Sequence, residues 1–116
     1  MTRLFLAVAL IAACGSTTPP LQTPPPGALV VIAQNQAFTT NRVTGPANVA
    51  FTLWFENLDH ELHNVGISDA SGKKVFTGTA ITGPNAITQG VEALAAGTYP
   101  FICDIHPTMT GTLVIQ

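Results

Sequence analysis

Charged side chains are scarce in this chain, and basic ones are the scarcest. Only 9% of the 116 residues are charged, against roughly 25% in an average globular domain. Four Lys or Arg stand against six Asp or Glu, which gives a formal net charge of −2. The chain therefore lacks the basic surface that nucleic-acid binding requires, and it lacks the polar faces that solvated helices present.

Long hydrophobic runs are also missing, apart from one near the N-terminus. After Arg3, residues 4–13 are all apolar, but ten residues cannot span the ~30 Å hydrocarbon core of a bilayer. This pattern predicts a cleavable signal peptide over residues 1–13. The run ends in Ile-Ala-Ala before Cys14, which resembles the lipobox of bacterial lipoproteins. The resemblance implies a lipid on Cys14, and the alternative is an ordinary secretory signal.

Cysteine is limited to Cys14 and Cys103. If Cys14 is acylated, Cys103 has no disulfide partner, and a lone thiol in an oxidising compartment needs another role. A disulfide between the two residues is the alternative, and the segment after Cys14 is flexible enough to permit it.

Proline is concentrated in the segment that follows Cys14. Five of residues 15–27 are proline, so this segment has no core of its own and favours an extended polyproline conformation. We therefore expect a lipidated linker over residues 14–27 and one folded domain over residues 28–116. The expected location is the bacterial cell envelope, with the protein anchored to a membrane and facing the periplasm or the exterior.

The domain shows the patterns of short strands separated by turns, without a long helical repeat. The predicted strands cover residues 28–33, 49–57, 63–68, 75–81, 87–93, 98–103 and 110–116, with a further short piece within 36–43. Turns at intervals of 8 to 15 residues favour an all-β sandwich or barrel.

Two details of these strands carry specific expectations. In residues 49–57 the odd positions, beginning at Val49, are predicted to face the core, while Trp54 is partly covered on the other face. Pro100 lies within the predicted strand 98–103 but has no backbone N–H to donate to a neighbouring strand. We therefore expect either that this strand lies at the edge of a sheet or that the nitrogen of Pro100 points away from the neighbouring strand.

The residues that carry chemistry lie at the end of the chain. Cys103, His106 and Met109 are spaced three residues apart between two predicted strands, and His63 opens a strand forty residues earlier. A thiolate, a thioether and two imidazoles are the donors that suit both Cu(I) and Cu(II). The sequence therefore predicts one copper ion held by these four side chains.

The same segments resemble the cupredoxins, or type 1 blue-copper proteins. The resemblance is carried by His63-Asn64-Val65 and by Tyr99-x-Phe101-x-Cys103-x-x-His106-Pro107-x-Met109-x-Gly111. The gaps of two residues on either side of His106 look most like the short ligand loop of amicyanin.

This resemblance implies a Greek-key β-sandwich over the whole domain, with one type 1 copper ion at one end. It assigns the copper ligands to His63, Cys103, His106 and Met109. It also implies that Asn64 braces the ligand loop through hydrogen bonds. The ring edge of the second histidine is expected to reach an apolar surface patch through which electrons leave, and the residues of that patch would be Ile105, Pro107 and Thr108.

Two residues near the predicted site leave alternatives open. His60 is either a solvated loop residue or a contact for a partner or a second metal. Asp104 places a carboxylate beside Cys103, and if it approaches the copper it should favour Cu(II) and lower the reduction potential.

The function that follows is a membrane-anchored one-electron carrier of the cell envelope, with a redox partner protein and no small-molecule substrate. The alternative is a protein that binds, delivers or buffers copper there. Enzymatic multicopper centres are disfavoured because three histidines cannot supply a second copper site. Zinc is disfavoured because Met is a poor zinc ligand.

Overall fold

The structure, a computed structural model, describes residues 22–116. All regular elements in this range are strands, and no helix there is long and apolar enough to cross a membrane. The predicted signal peptide, Cys14 and most of the predicted linker lie outside the described residues. The strands are β1 Leu29–Gln34, β2 Ala37–Phe38, β3 Arg42–Gly45, β4 Phe51–Asn57, β5 Leu62–His63, β6 Gly66–Ser68, β7 Lys74–Thr77, β8 Ile81–Thr82, β9 Asn85–Val91, β10 Gly97–Ile102 and β11 Thr110–Ile115.

Two sheets and a short ribbon make up the domain. The first sheet has the order β2-β1-β4-β9 and the second the order β3-β11-β10-β6-β7, while β5 pairs with β8. The β1–β4 and β3–β11 pairs are parallel and the other pairs are antiparallel. The prediction of an all-β sandwich is confirmed.

One hydrophobic core joins the inward faces of the two sheets. The ring of Phe38 lies 5.1 Å from that of Phe101 and 6.5 Å from that of Phe55, both edge to face. Phe38 and Phe55 belong to the first sheet and Phe101 to the second, so these aromatic contacts connect the sheets. Cys103 and Met109 belong to the same core cluster, which anchors the ligand loop in the rigid part of the domain.

The alternation predicted for residues 49–57 is correct from Phe51 onward and wrong at Val49, which is exposed. The reason is the preceding turn, in which Asn48 has a left-handed backbone (φ 60°) and its N–H donates to Leu94. Regular pairing therefore starts only at Phe51. Trp54, on the other face of β4, is buried rather than partly covered.

Two predicted strands are each divided in the structure. Residues 63–68 split because His63 pairs with β8, whereas Gly66 pairs with β10 and β7. Residues 75–81 split at Gly78, whose N–H donates to the carbonyl of Val65. These two breaks let the chain leave the large sheet and carry His63 towards the end of the domain.

Pro100 follows the second of its two predicted arrangements. It pairs with Thr112 of β11. On the other side of β10, the pairing with β6 includes Phe101 and Ile102 and does not extend to Pro100. Because Cys103 donates its N–H to the β11 side, the nitrogen of Pro100 faces the opposite side, where no strand is paired. The missing donor therefore breaks no ladder hydrogen bond.

Candidate metal centre

Three of the predicted ligands meet at one end of the sandwich. His63 ends β5, Cys103 follows β10, and His106 lies in the loop between β10 and β11. Their donor atoms all lie within 4.8 Å of one another. Cys103 is a free thiol and is fully buried, as is His63, whereas the side chain of His106 is 28% exposed. The cluster is therefore a buried site with one edge at the surface.

The spacing of the donor atoms fits a single metal ion. Sγ of Cys103 lies 3.9 Å from Nδ1 of His63 and 4.0 Å from Nδ1 of His106, and the two nitrogens are 3.1 Å apart. A point in the plane of this triangle is about 2.1 Å from each corner, close to ordinary metal–nitrogen and metal–sulfur distances. A soft sulfur with two imidazole nitrogens is a donor set that suits copper.

Met109 closes the loop that carries two of these donors. The N–H of Met109 donates to the carbonyl of His106 at 2.9 Å, and the N–H of Cys103 donates to the carbonyl of Met109 at 3.1 Å. Met109 is buried in the same core cluster as Cys103. Its thioether remains the predicted fourth ligand.

Asn64 joins the two halves of the site. Its Oδ1 accepts the N–H of Asp104 at 2.8 Å, and its Nδ2 donates to Oδ2 of Asp104 at 2.8 Å and to the carbonyl of Gly78 at 3.1 Å. Asn64 directly follows His63 and Asp104 directly follows Cys103. A displacement of either ligand would therefore strain this partly buried pair of hydrogen bonds.

Asp104 is more strongly paired than its sequence position suggests. Its carboxylate accepts hydrogen bonds from Lys74 and from Asn64. Burial raises the pKa of the Asp104 carboxyl, but the bonds from Lys74 and Asn64 outweigh it, so the pKa lies below its ordinary value. The negative charge that was expected beside Cys103 is thus balanced by the ammonium group of Lys74.

Asp59 contacts the buried histidine from behind, a role that sequence reasoning missed. Its Oδ2 lies 2.9 Å from Nε2 of His63, on the opposite side of the ring from Cys103. The backbone N–H of Gln36 does most to hold the pKa of Asp59 below its ordinary value; burial opposes it, and Asn35 and His63 add to it. A carboxylate four residues before a predicted ligand, in a chain with six acidic residues, was the available signal.

Asn57 was missed as well, although it stands at the next inward position after Phe55. It is fully buried, and its Nδ2 donates to the carbonyls of Glu61 and Ile81, both at 2.8 Å. Its Oδ1 accepts the N–H of Asp59 at 2.9 Å. Asn57 therefore fixes the loop that leads from β4 to His63.

The exposed histidine faces a second carboxylate. Oε2 of Glu61 lies 3.6 Å from Nε2 of His106, too far for a direct hydrogen bond, and accepts one from Nε2 of Gln36 at 2.6 Å. His60, between Asp59 and Glu61, is exposed and is not part of the metal-binding cluster among the described residues.

Exposed apolar side chains lie next to His106 in the ligand loop. Ile105, Pro107 and Thr108 of the predicted patch are all exposed, and Leu62, which the sequence reasoning left out, is exposed as well. The exposed edge of His106 thus has apolar neighbours in its own loop and the exposed carboxylate of Glu61 beside it.

Comparisons with known proteins agree with this fold. The profile of the cupredoxin-like domain matches residues 4–115. The amicyanin of Paracoccus versutus (Thiobacillus versutus) is 25% identical with a TM-score of 0.63, over 80% of this chain and 85% of that one. The reduced auracyanin of Roseiflexus castenholzii is 17% identical with a TM-score of 0.67, over 78% and 97%. No curated protein sequence gives a significant match.

Proposed function

Because the chain belongs to the cupredoxin-like family, we propose that it carries single electrons by means of one type 1 copper ion. The residues that would hold the ion are His63, Cys103 and His106, with the thioether of Met109 as the predicted fourth ligand. When bound, copper supplies the one-electron Cu(II)/Cu(I) couple. The protein's own residues supply the rigidity of the site and its access to a partner.

The observation that carries this proposal is the preformed triangle of one thiol sulfur and two imidazole nitrogens. Its corners come from two different strand pairs, and Asn64 links them through Asp104. A site held in this way changes little in geometry between the two oxidation states, because neither can impose its own preferred coordination. A small change in geometry keeps the barrier to electron transfer low.

The burial of the site limits where electrons can pass. His63 and Cys103 are fully buried, and of the three only His106 reaches the surface. We therefore assign the entry and exit of electrons to the His106 edge. The redox partner protein docks on the surrounding apolar surface of Leu62, Ile105 and Pro107.

The structural relatives support a redox role. Solved amicyanins include a reduced form and an oxidised form, and the matching auracyanin is a reduced form. Amicyanin variants thus exist in two oxidation states on the fold that this chain shares. We assign no enzymatic activity and no small-molecule substrate to the protein.

The alternative, delivery or buffering of copper, needs ligands that an acceptor can reach. Here the thiol and one imidazole are fully enclosed, so exchange of the ion requires the loop to open. Enclosure favours a carrier that keeps its copper over a donor that releases it.

The proposed location is the bacterial cell envelope. Lipid on Cys14 anchors the chain to a membrane, and residues 15–27 hold the domain away from that surface, in the periplasm or at the exterior. At about 3.1 Å per residue, an extended linker of this length reaches ~40 Å.

The test is the absorption spectrum of the Cu(II)-loaded protein. Wild type should show an intense blue thiolate-to-copper band that vanishes in Cys103→Ser and remains in the matched control Cys14→Ser. The blue protein should be reduced and reoxidised reversibly. A colourless Cu(II) complex, or loss of copper to a chelator within seconds together with slow electron self-exchange, would contradict the electron-carrier assignment.

A further inference from the structure

We propose that Asp59 is a positioning residue for the copper ligand His63, and that its carboxylate shifts the copper couple towards Cu(II). The inference rests on the proposed function and adds a determinant of the reduction potential that lies outside the ligand set. The two ring nitrogens of His63 have different neighbours. Nδ1 of His63 faces Cys103 and His106, while Nε2 faces Asp59.

Only one tautomer of His63 can bind a metal through Nδ1 and donate a hydrogen bond to Asp59 through Nε2. A neutral imidazole carries one proton, so a metal on Nδ1 requires that proton on Nε2. Oδ2 of Asp59, at 2.9 Å, accepts it. The carboxylate therefore fixes both the tautomer and the rotation of the ring, as carboxylate partners of metal-bound histidines do.

Asp59 is itself held on three sides. Its Oδ1 accepts the N–H of Asn35 at 2.8 Å, and its Oδ2 accepts the N–H of Gln36 at 2.9 Å. The N–H of Asp59 donates to Oδ1 of Asn57 at 2.9 Å. The first two bonds orient the carboxylate and the third holds the main chain of Asp59, so the fold keeps this side chain beside His63.

The turn that supplies two of these donors adopts an unfavourable conformation. Asn35 and Gln36 connect β1 to β2, with φ of 57° and 55°. A two-residue hairpin turn with both central residues left-handed usually contains glycine, and glutamine is rare there. The N–H bonds to Asp59, and the bond from the Gln36 side chain to Glu61, offset that cost. The Asp59 carboxylate thus stabilises the turn whose two N–H groups it accepts.

Glu61 provides an internal comparison of magnitude. Its carboxylate lies 3.6 Å from Nε2 of His106 and its side chain is 52% exposed, whereas Asp59 lies 2.9 Å from His63 and is 15% exposed. The two carry the same charge, but water screens the exposed and more distant group more strongly. Of these two carboxylates, Asp59 therefore has the larger effect on the site.

The direction of the effect follows from charge. A fixed negative group behind a ligand ring increases the electron donation of that ring and stabilises the state with the larger positive charge. Cu(II) is favoured over Cu(I), and the reduction potential is lower than it would be without Asp59.

The experiment compares the reduction potentials of copper-loaded wild type, Asp59→Asn, Glu61→Gln and Asp69→Asn. Asp59→Asn keeps an oxygen acceptor of similar size and removes the charge. Its ratio of Cu(I) to Cu(II) affinity should rise by at least about tenfold, which is ~59 mV for one electron. Glu61→Gln should shift the potential much less, and Asp69→Asn, whose carboxylate accepts hydrogen bonds from Ser71 and Lys73 within the β6–β7 turn, should leave it unchanged.

A second measurement needs no variant and so does not depend on the folding of Asp59→Asn. In the diamagnetic Cu(I) wild type, NMR should find the His63 proton on Nε2, exchanging with solvent more slowly than the ring proton of His106. A proton absent from Nε2, or exchange as fast as in His106, would overturn the inference. So would an Asp59→Asn potential no higher than that of Glu61→Gln.

The colour of the wild type separates the two proposals. A blue wild type whose potential does not respond to Asp59→Asn overturns only the role of Asp59. A wild type without the blue band overturns the electron-carrier proposal and the role of Asp59 with it.

Discussion

The residues next to the two buried ligands connect the site to charge on the surface. Asp104 follows Cys103 and forms an ion pair with Lys74, and both side chains are about one-third exposed. The pair is therefore partly screened by water, and its net electrostatic effect on the buried sulfur of Cys103 is smaller than that of a lone carboxylate. The sequence alone predicts that Asp104 lowers the reduction potential of the copper. Its ion pair with Lys74 makes that effect smaller.

Breaking this pair from either side should move the reduction potential in opposite directions. Lys74→Met leaves the charge of Asp104 unbalanced and should lower the potential, while Asp104→Asn removes that charge and should raise it. Each shift should be on the order of 1 kcal/mol at most, or ~40 mV, because the pair is partly exposed.

The double variant should lie near wild type, which voltammetry at low and high salt can establish. Both single shifts should shrink as salt rises. If Lys74→Met leaves the potential unchanged at low salt, the pair has no electrostatic influence on the copper.

For single residues, a role in the site can be predicted from sequence when the contacting residues lie close together in the chain. The three donors that lie together could be predicted because Cys103 and His106 form a local pattern and His63 is recognisable by family resemblance. Lys74 could not, because it lies 30 residues from Asp104 and approaches it only once β6 and β7 have paired. Asp59 stands close to His63 in sequence, but its contact depends on a hairpin turn more than 20 residues earlier.

At the scale of elements, the β10–β11 pair determines the position of the ligand loop. Phe101 pairs with Gly111, and a Cβ at Gly111 would lie 2.1 Å from Cζ of Phe101. The absence of a side chain at this position therefore lets the Phe101 ring lie across β11. The same ring reaches Phe38 of the other sheet, so its position matters for both sheets.

Gly111→Ala should destabilise the metal-free domain by about 1–3 kcal/mol, the usual cost of an added methyl group in a packed core. Denaturant unfolding monitored by Trp54 fluorescence measures this change in the free energy of unfolding. Gly90→Ala is the matched control: Gly90 also lies within a strand, β9, but a Cβ at that position would have no described neighbour within 4 Å. Equal stabilities of the two variants would show that the Phe101 ring moves aside at no cost.

The strands themselves were predictable wherever one face is apolar, as in β1, β4 and β11. The prediction was wrong where a strand changes partners, at residues 64–65 and at Gly78, because hydrophobic alternation carries no information about pairing. These breaks are set by contacts such as the bond from Asn64 to the carbonyl of Gly78. They matter for function because they bring His63 to Cys103.

At the scale of the whole molecule, the all-β sandwich and the end at which the copper site lies were both predictable. Parallel pairing of β1 with β4 and of β3 with β11 was not, since it is fixed by the route of the connections rather than by local pattern. The anchor is a separate matter, because residues 1–21 lie outside the described part of the chain. The lipidation of Cys14 therefore stays a prediction from sequence.

Lipidation of Cys14 predicts where the full chain resides. Expressed in a bacterial host with labelled fatty acid, the wild type should carry the label and sediment with membranes. Each buried methylene of an acyl chain contributes about 0.8 kcal/mol, so more than one chain makes the attachment stable.

Cys14→Ser should lose the label and leave the membrane fraction, while its copper-loaded domain keeps the blue band. Cys103→Ser is the reciprocal control, since it should keep the label and lose the colour. A Cys14→Ser protein that remains with membranes after a salt wash would show that another segment attaches the chain, and an unlabelled wild type would favour an ordinary secretory signal.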